Sequence, residues 1–369
     1  MTLPRLDNGT FFFPGPTEVR ADVLQAMTRP MVAHRGKVFE DLYGRLQAAL
    51  QVIFGTSRPV YISSSSATGL MEAGVRCAPA GRLLCIVNGA FSARFAAIVA
   101  ACARENDVLE VPWGETVDLD RLAAQLASTR YAAVTVVHSE TSTGALTDVR
   151  AVTRLAHQHG AVCLVDSVTG IGAAELRFDD WELDYALTGS QKALALPPGL
   201  AFASASASFI ASAKQQPGRG LYFDLVEFDA YALKNQTPNT PAIPLFFAAD
   251  VQLPAIAAET MRVRWDRHAS MAQRTYGWVA DLSARHGGAI RVLAAPGHRS
   301  PSVTSIMLPT TLSATTVLRA VTEQGFTIGS GYGKNKESSV RVGHMGDHTL
   351  AGLERCLAAC DRAFDAVMR

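Results

Sequence analysis

The sequence predicts an α/β protein: a large domain built on a mostly parallel β-sheet with helices on both faces, followed by a smaller α+β domain. Short runs that are apolar on both faces alternate with amphipathic helical patterns, and strands buried on both faces are typical of parallel sheets. This alternation ends near Pro244, where a long helical region and a second group of strands begin. A chain of 369 residues is consistent with two domains, which we place at residues 1–250 and 251–369.

The expected elements of the large domain begin with an extended segment at 11–16 and a helix over 19–27. A longer helix is expected over 37–54, because apolar residues recur there every three or four positions and Gly55 follows. Buried strands are expected at 83–87, 108–111, 132–137 and 161–165. The helices between these strands are expected at 91–103, 119–127 and 149–159.

The smaller domain is expected to begin with a long helical region over 245–282. Its strands are expected near 290–293, 302–308, 327 and 339–342, with a helix over 314–324. A last helix follows, because apolar residues from Leu350 to Phe364 recur on one face.

Composition and charge exclude several classes of protein. The 34 basic and 33 acidic residues give a net charge of +1, which argues against a nucleic-acid or membrane-surface partner bound through bulk charge. The N-terminal residues are too polar for a signal peptide, and no apolar stretch reaches the roughly 18 residues of a membrane span. The close pair Cys356 and Cys360 lacks a second ligand pair, so we expect no metal site and a reduced, cytoplasmic protein.

Lys192 is the first candidate for chemistry. It follows an apolar run that begins at Tyr185 and ends in a small, polar turn, and two prolines and Gly199 come soon after it. A lysine fixed at the end of a strand is suited to bond covalently with an aldehyde, whereas a lysine on a surface helix is not.

Two further motifs lie where predicted strands or helices meet loops. Asp166 ends a buried strand, and ligands of open α/β sheets bind at such ends. Ser66, Ala67 and Thr68 precede a helical pattern, where backbone amides can hold a phosphate. Taken alone, a turn aspartate and an ordinary helix cap explain these residues at least as well.

Three more residues complete a candidate site. Phe91 follows a strand and can stack on a flat ring, Thr141 offers a hydroxyl, and Arg341 lies on a strand where its guanidinium can bind a carboxylate. A core phenylalanine and a surface arginine are the ordinary alternatives. Together with a lysine, a carboxylate and a phosphate loop, these groups are the ones that pyridoxal 5'-phosphate requires.

At these positions the chain resembles the class V aminotransferases of fold type I, and within them the alanine–glyoxylate, serine–pyruvate and serine–glyoxylate branch. The most specific segments are 138–144, 165–168, 189–193 and 197–199. The resemblance implies that Lys192 binds the cofactor and carries a proton, that Asp166 pairs with the ring nitrogen, and that Arg341 binds the substrate carboxylate. It implies further cofactor contacts from Ser66, Ala67, Thr68, Gln191, Thr141, Val168 and Phe91.

The resemblance also implies a homodimer with shared active sites. Asn239 and Thr240 would come from the partner subunit, with Thr240 at the phosphate. The pair His34 and Arg35 would contact substrate, but such a pair occurs both in phosphoserine aminotransferases and in serine–glyoxylate relatives, so it does not decide between them.

The expected reaction moves an amino group from alanine or serine to glyoxylate or pyruvate by a ping-pong mechanism. Phosphoserine or 2-aminoethylphosphonate aminotransferases are alternatives. A lyase such as a cysteine desulfurase is a further alternative, although the late loop 329–336 has no cysteine to act as nucleophile. A non-enzymatic module of the same fold would be expected to lose Lys192, Asp166 or Arg341.

Overall fold

The computed structural model describes residues 6–368 as fourteen strands and twelve helices. The strands are β1 (Phe11–Phe12), β2 (Val60–Ser63), β3 (Leu83–Val87), β4 (Asn106–Glu110), β5 (Ala133–Val137), β6 (Ser139–Glu140), β7 (Ala145–Leu146), β8 (Val162–Asp166), β9 (Tyr185–Gly189), β10 (Ala201–Ala205), β11 (Arg291–Val292), β12 (Val303–Met307), β13 (Thr327–Ser330) and β14 (Ser339–Gly343).

The helices are α1 (Ala21–Ala26), α2 (Lys37–Phe54), α3 (Ala67–Cys77), α4 (Ala90–Ala101), α5 (Leu119–Ser128), α6 (Val149–Gln158), α7 (Ala207–Ala213), α8 (Leu225–Ala232), α9 (Ile243–Glu259), α10 (Met261–Arg285), α11 (Ala314–Glu323) and α12 (Leu350–Val367). No helix among the described residues is both long and apolar enough to cross a membrane.

A seven-stranded sheet forms the centre of the large domain, in the order β2-β10-β9-β8-β5-β3-β4. Strands β4, β3, β5, β8 and β9 are parallel, and β10 is antiparallel to both of its neighbours. The predicted mostly parallel sheet is therefore confirmed. Its parallel strands end at one edge, and this places the loops after β3, β5, β8 and β9 side by side.

A five-stranded sheet in the order β1-β13-β14-β12-β11 forms the second layer. Strand β1 runs parallel to β13, and the other neighbours are antiparallel. The N-terminal segment therefore supplies an edge strand to the C-terminal sheet, a pairing that the sequence did not predict. The buried apolar residues form two main cores. The last residue of the first core is Met261, and the second core begins at Met271 apart from Phe12. The domain boundary that we place at residue 250 stays a prediction.

Two predicted helical segments are present in the structure but differ from the prediction in detail. The first is only six residues long, because Arg20 is extended and the helix begins at Ala21. The helical region expected over 245–282 consists of two helices, because Thr260 has φ 65° and ψ 143°, which interrupts the helical path between α9 and α10. The helix over 37–54 is confirmed, and Gly55 ends it in the left-handed conformation (φ 64°, ψ 50°) that glycine adopts without strain.

Candidate active site

A cleft of about 220 Å³ opens at the edge of the large sheet where its parallel strands end. Nine of the residues predicted from the sequence line it together: Ser66, Ala67, Thr68, Phe91, Thr141, Asp166, Val168, Gln191 and Lys192. The cleft is further lined by residues that the sequence did not single out, among them Gly15, Met71 and Arg94.

Lys192 lies in the turn that follows β9, and only 7% of its side chain is exposed. Its Nζ donates a hydrogen bond to the carbonyl of Pro14. Gly15 has φ 113° and a side chain on it would collide with the Lys192 amine, so only glycine lets this backbone pass so close. Burial, and next the nearby Arg341 guanidinium, lower the pKa of Lys192 to about 7. Much of this amine is therefore uncharged near neutral pH.

A buried arginine holds the backbone that follows Lys192. Arg264 on α10 is fully buried and donates to the carbonyl of Ala193 at 2.5 Å and to that of Gly172 at 3.0 Å. Its charge is compensated by Glu259 at 2.7 Å and Asp347 at 3.3 Å. These bonds tie the lysine turn to α10 and to the segment after β14 that carries Asp347.

Asp166 is the last residue of β8 and is 2% exposed. Its Oδ1 accepts a hydrogen bond from the amide of Val168 at 2.8 Å. Burial raises the pKa of Asp166 to about 7; the Glu140 carboxylate acts in the same direction, while the Val168 amide and the Lys192 amine oppose it. A cation beside Asp166 would lower its pKa again and restore the ionised carboxylate. A protonated ring nitrogen is such a cation.

The start of α3 forms the opposite end of the cleft. Ser66 is the N-cap residue of this helix, but in the described chain its hydroxyl makes no capping bond. The first amides of α3 and the hydroxyls of Ser66 and Thr68 therefore face a cleft in which both residues are exposed. A helix start with open amides binds a phosphate group through its N–H groups and its dipole.

Glu140 fixes the start of α4 and was missed from the sequence. Its fully buried carboxylate accepts from the amide of Phe91 at 3.1 Å, from that of Ser92 at 2.9 Å, and from the Ser142 hydroxyl at 2.6 Å. The carboxylate thereby caps the helix that carries Phe91. A glutamate among hydroxyl residues directly after a buried strand was the available signal.

Arg341 lies on β14 beside the cleft and is 5% exposed. Its Nη1 donates to the carbonyl of Thr141 at 3.1 Å and its Nε to that of Ser330 at 2.8 Å. Burial lowers the pKa of Arg341 to about 10, which still leaves it charged at neutral pH. Thr141 also hydrogen-bonds Thr169 through their hydroxyls, so the arginine is held against the wall of the cleft.

Four predicted residues lie outside this cleft of the same chain. Asn239 and Thr240 line a separate small depression beside Ser64, whose hydroxyl accepts from the amide of Ala242 at 2.9 Å. Arg35 donates to the carbonyls of Thr237 at 2.5 Å and Pro238 at 3.1 Å. His34 is half-buried one residue earlier. A single chain therefore does not bring these four residues to Lys192.

The groups around the cleft fit pyridoxal 5'-phosphate. Lys192 offers an uncharged amine for its aldehyde, Asp166 a carboxylate for its ring nitrogen, and the start of α3 a cradle for its phosphate. The Phe91 ring centroid lies 5.9 Å from the Lys192 Nζ, so an aromatic ring flanks the position of the reacting atoms. When bound, the cofactor supplies the electron sink that makes the α-proton of an amino acid removable.

Comparison with known proteins gives the same result. The chain matches the family described as class-V aminotransferase over residues 13–344. It is 30% identical to the L-aspartate–glyoxylate aminotransferase of Paracoccus denitrificans, over 92% of this chain and 87% of that protein. It is 30% identical to the serine–glyoxylate aminotransferase of Arabidopsis thaliana, over 95% and 88%.

A further relative and a solved structure are also similar to the chain. A protein of Synechococcus sp. named soluble hydrogenase, small subunit, is 32% identical over 98% of this chain and 93% of its own length. The solved structure of an alanine–glyoxylate aminotransferase from Nostoc sp. superposes with a TM-score of 0.89 at 26% identity, covering 98% of this chain and 96% of that one. The chain belongs to the class V aminotransferases: it is a transaminase with pyridoxal 5'-phosphate as its cofactor.

Proposed function

We propose that the enzyme transfers the amino group of a small L-amino acid, alanine or serine, to glyoxylate or pyruvate. The observation that carries this proposal is the buried Arg341 guanidinium near Lys192, which can hold the α-carboxylate of an amino acid next to the reacting amine. The names of the serine–glyoxylate and alanine–glyoxylate relatives support the same choice of substrates.

Lys192 is proposed to bind the cofactor and then to move the proton. Once released by the incoming amino acid, its amine accepts the α-proton, and the lowered pKa keeps much of it in the basic form at neutral pH. Asp166 holds the positive charge of the ring nitrogen. Arg341 binds the α-carboxylate of the donor, because its charge lies on a rigid strand beside the reacting amine.

The remaining cleft residues are proposed to position the cofactor. Ser66, Ala67, Thr68 and Gln191 bind its phosphate; Phe91 and Val168 pack against the two faces of its ring; Thr141 lies near its phenolic oxygen. The position of these residues around one cleft supports this assignment. The 2.8 Å hydrogen bond from the Val168 amide to Asp166 also holds the residue proposed to pack against the ring beside the carboxylate proposed to pair with the ring nitrogen.

A homodimer is proposed to complete the site with Asn239 and Thr240 of the second subunit. Support comes from large apolar side chains that lie close along the sequence to Arg35 and to its contact residue Tyr231. Met31 is 67% exposed and Leu233 is 69% exposed, and exposed apolar side chains are typical of surfaces that a partner covers. A cytoplasmic location is also proposed, because the cysteines of the described chain are all free.

A phosphorylated or phosphonate donor is the second candidate, and the observation behind it is the His34–Arg35 pair. In this chain the Arg35 guanidinium is already bonded to two backbone carbonyls and lies 5.1 Å from the Tyr231 ring, which favours a structural role. A desulfurase is less consistent with the structure, because Cys356 and Cys360 are fully buried in α12.

A panel of donors and acceptors tests the proposal. Alanine, serine, aspartate, phosphoserine and 2-aminoethylphosphonate would each be assayed against glyoxylate, pyruvate and 2-oxoglutarate, with steady-state rates at several acceptor concentrations. We expect the highest kcat/KM for alanine or serine with glyoxylate or pyruvate, and parallel double-reciprocal lines. Preference for aspartate or for a phosphorylated donor would overturn the proposed substrate class and leave the transaminase assignment intact.

A further inference from the structure

Tyr332 contacts Phe91 and Arg341 at the edge of the cleft. It lies between β13 and β14, in a short segment that we define as Gly331–Ser338. Its ring stacks on the Phe91 ring with centroids 5.1 Å apart and planes inclined by 27°. The guanidinium of Arg341 lies 5.5 Å from the centre of the same ring. Tyr332 therefore contacts both the aromatic ring beside Lys192 and the predicted carboxylate-binding arginine.

Arg94 on α4 fixes the outer end of Tyr332. Its Nη2 donates to the Tyr332 hydroxyl at 3.0 Å, and its guanidinium lies 4.9 Å from the Phe91 ring centre. Tyr332 therefore contacts the Phe91 ring and the guanidinium groups of Arg341 and Arg94, although 36% of its side chain stays exposed.

The segment that presents Tyr332 is preformed. The amide of Gly331 donates to the carbonyl of Ser339 at 2.7 Å, and the Ser339 hydroxyl donates to the carbonyl of Asn335 at 2.9 Å. A side chain at Gly331 would overlap the Asn335 carbonyl, so the turn is compact. Lys334 lies 4.6 Å from the ring of Trp113 in the large domain, which adds a second contact between the domains.

We propose that Tyr332 is a specificity-determining residue that limits the donor to a small side chain. This inference rests on the proposed function, because it assumes that Arg341 binds the donor carboxylate and Lys192 takes the α-proton. A donor held in this way fills the space next to the Tyr332 ring, since that ring contacts Arg341 on one side and Phe91 on the other. The Arg94 bond keeps the ring in place, so a bulky donor has to displace it.

The test compares Tyr332→Ala, Tyr332→Phe and a matched control, Lys336→Ala, which changes an exposed residue of the same segment. Each holoenzyme is mixed with alanine, serine, leucine or phenylalanine, and kcat/KM of the donor half-reaction is followed by the change in cofactor absorbance. We expect Tyr332→Ala to raise the leucine-to-alanine ratio of kcat/KM by about tenfold or more, the range typical of opening an apolar pocket. Tyr332→Phe keeps the ring and loses only the Arg94 hydrogen bond, so it should shift the ranking of donors less than Tyr332→Ala, and Lys336→Ala should match the wild type.

A binding measurement complements the kinetics. The amino acid 2-methylalanine has no α-proton and cannot be turned over, so its dissociation constant, measured by titration of the holoenzyme, reports fit alone. A larger relative, 2-methylleucine, should bind the wild type weakly and Tyr332→Ala about tenfold more tightly. An unchanged donor ranking and unchanged affinities in Tyr332→Ala, or equal changes in Lys336→Ala, would overturn the role of Tyr332. A wild-type enzyme that rejects alanine and serine would instead contradict the proposed function.

Discussion

Replacing Asp166 with asparagine should stabilise the cofactor-free protein while it abolishes most activity. In the folded chain the pKa of Asp166 is raised from 3.8 to about 7, mainly by burial. Between these two values the folded protein binds a proton that the unfolded chain does not, so stability falls as pH rises through this window. At about 1.4 kcal/mol per pKa unit, the penalty above the window approaches about 4 kcal/mol. Asparagine avoids this penalty and can still accept from the Val168 amide.

Urea unfolding of both cofactor-free proteins at about pH 5 and about pH 8 measures this effect. We expect the asparagine variant to be more stable than the wild type at the higher pH, and the difference to shrink by about 3 kcal/mol at the lower pH. Asp184→Asn is a matched control, because this buried carboxylate pairs with His157 at 2.8 Å and its loss should destabilise the protein. A less stable Asp166→Asn protein at the higher pH, or a difference independent of pH, would refute the reasoning. Its transaminase kcat should fall at least about a hundredfold.

Three further changes have defined outcomes. Arg341→Lys should raise KM for the donor about tenfold or more with little loss of cofactor, since lysine lacks the planar pair of donors; a normal KM would contradict carboxylate binding there. The rate of covalent cofactor attachment should rise with pH through about 7, where Lys192 loses its proton, and this midpoint should move upward in Arg341→Gln. Arg264→Met should destabilise the protein by about 3 kcal/mol in thermal or urea unfolding, because Glu259 and Asp347 lose a buried cation; an unchanged midpoint would show that the bonds to the lysine turn contribute little.

Much of the fold could be predicted because the parallel strands carry strong local signals. Runs such as β5 and β8 are apolar at four of their five positions, and the helix between them shows clear periodicity. Strand β10 (Ala-Phe-Ala-Ser-Ala) consists largely of small residues with low strand preference, so its position between β2 and β9 had no local signal. The break between α9 and α10 at Thr260 could not be predicted either, because neither glycine nor proline stands at that position. The pairing of β1 with β13 joins positions more than 300 residues apart.

The cleft could be predicted where its residues end strands or begin helices. Asp166, Lys192 and the residues at the start of α3 meet at one edge because parallel strands all end there. The roles of Glu140 and Tyr332 could not be predicted from the sequence. Each side chain contacts α4, and the sequence does not show which distant side chains reach that helix. Arg264 likewise reads as one charged residue of a long helix, although it is fully buried.

Chemical trapping of the cofactor tests the central claim most directly. Borohydride reduction of the holoenzyme converts a cofactor bound to a lysine into a stable adduct, and peptide mass mapping then locates it. We predict a single pyridoxyl-phosphate adduct on Lys192, and none in Lys192→Ala treated in the same way. An adduct on another lysine, or equal labelling of the Lys192→Ala protein, would contradict the assignment of Lys192 as the cofactor-binding residue.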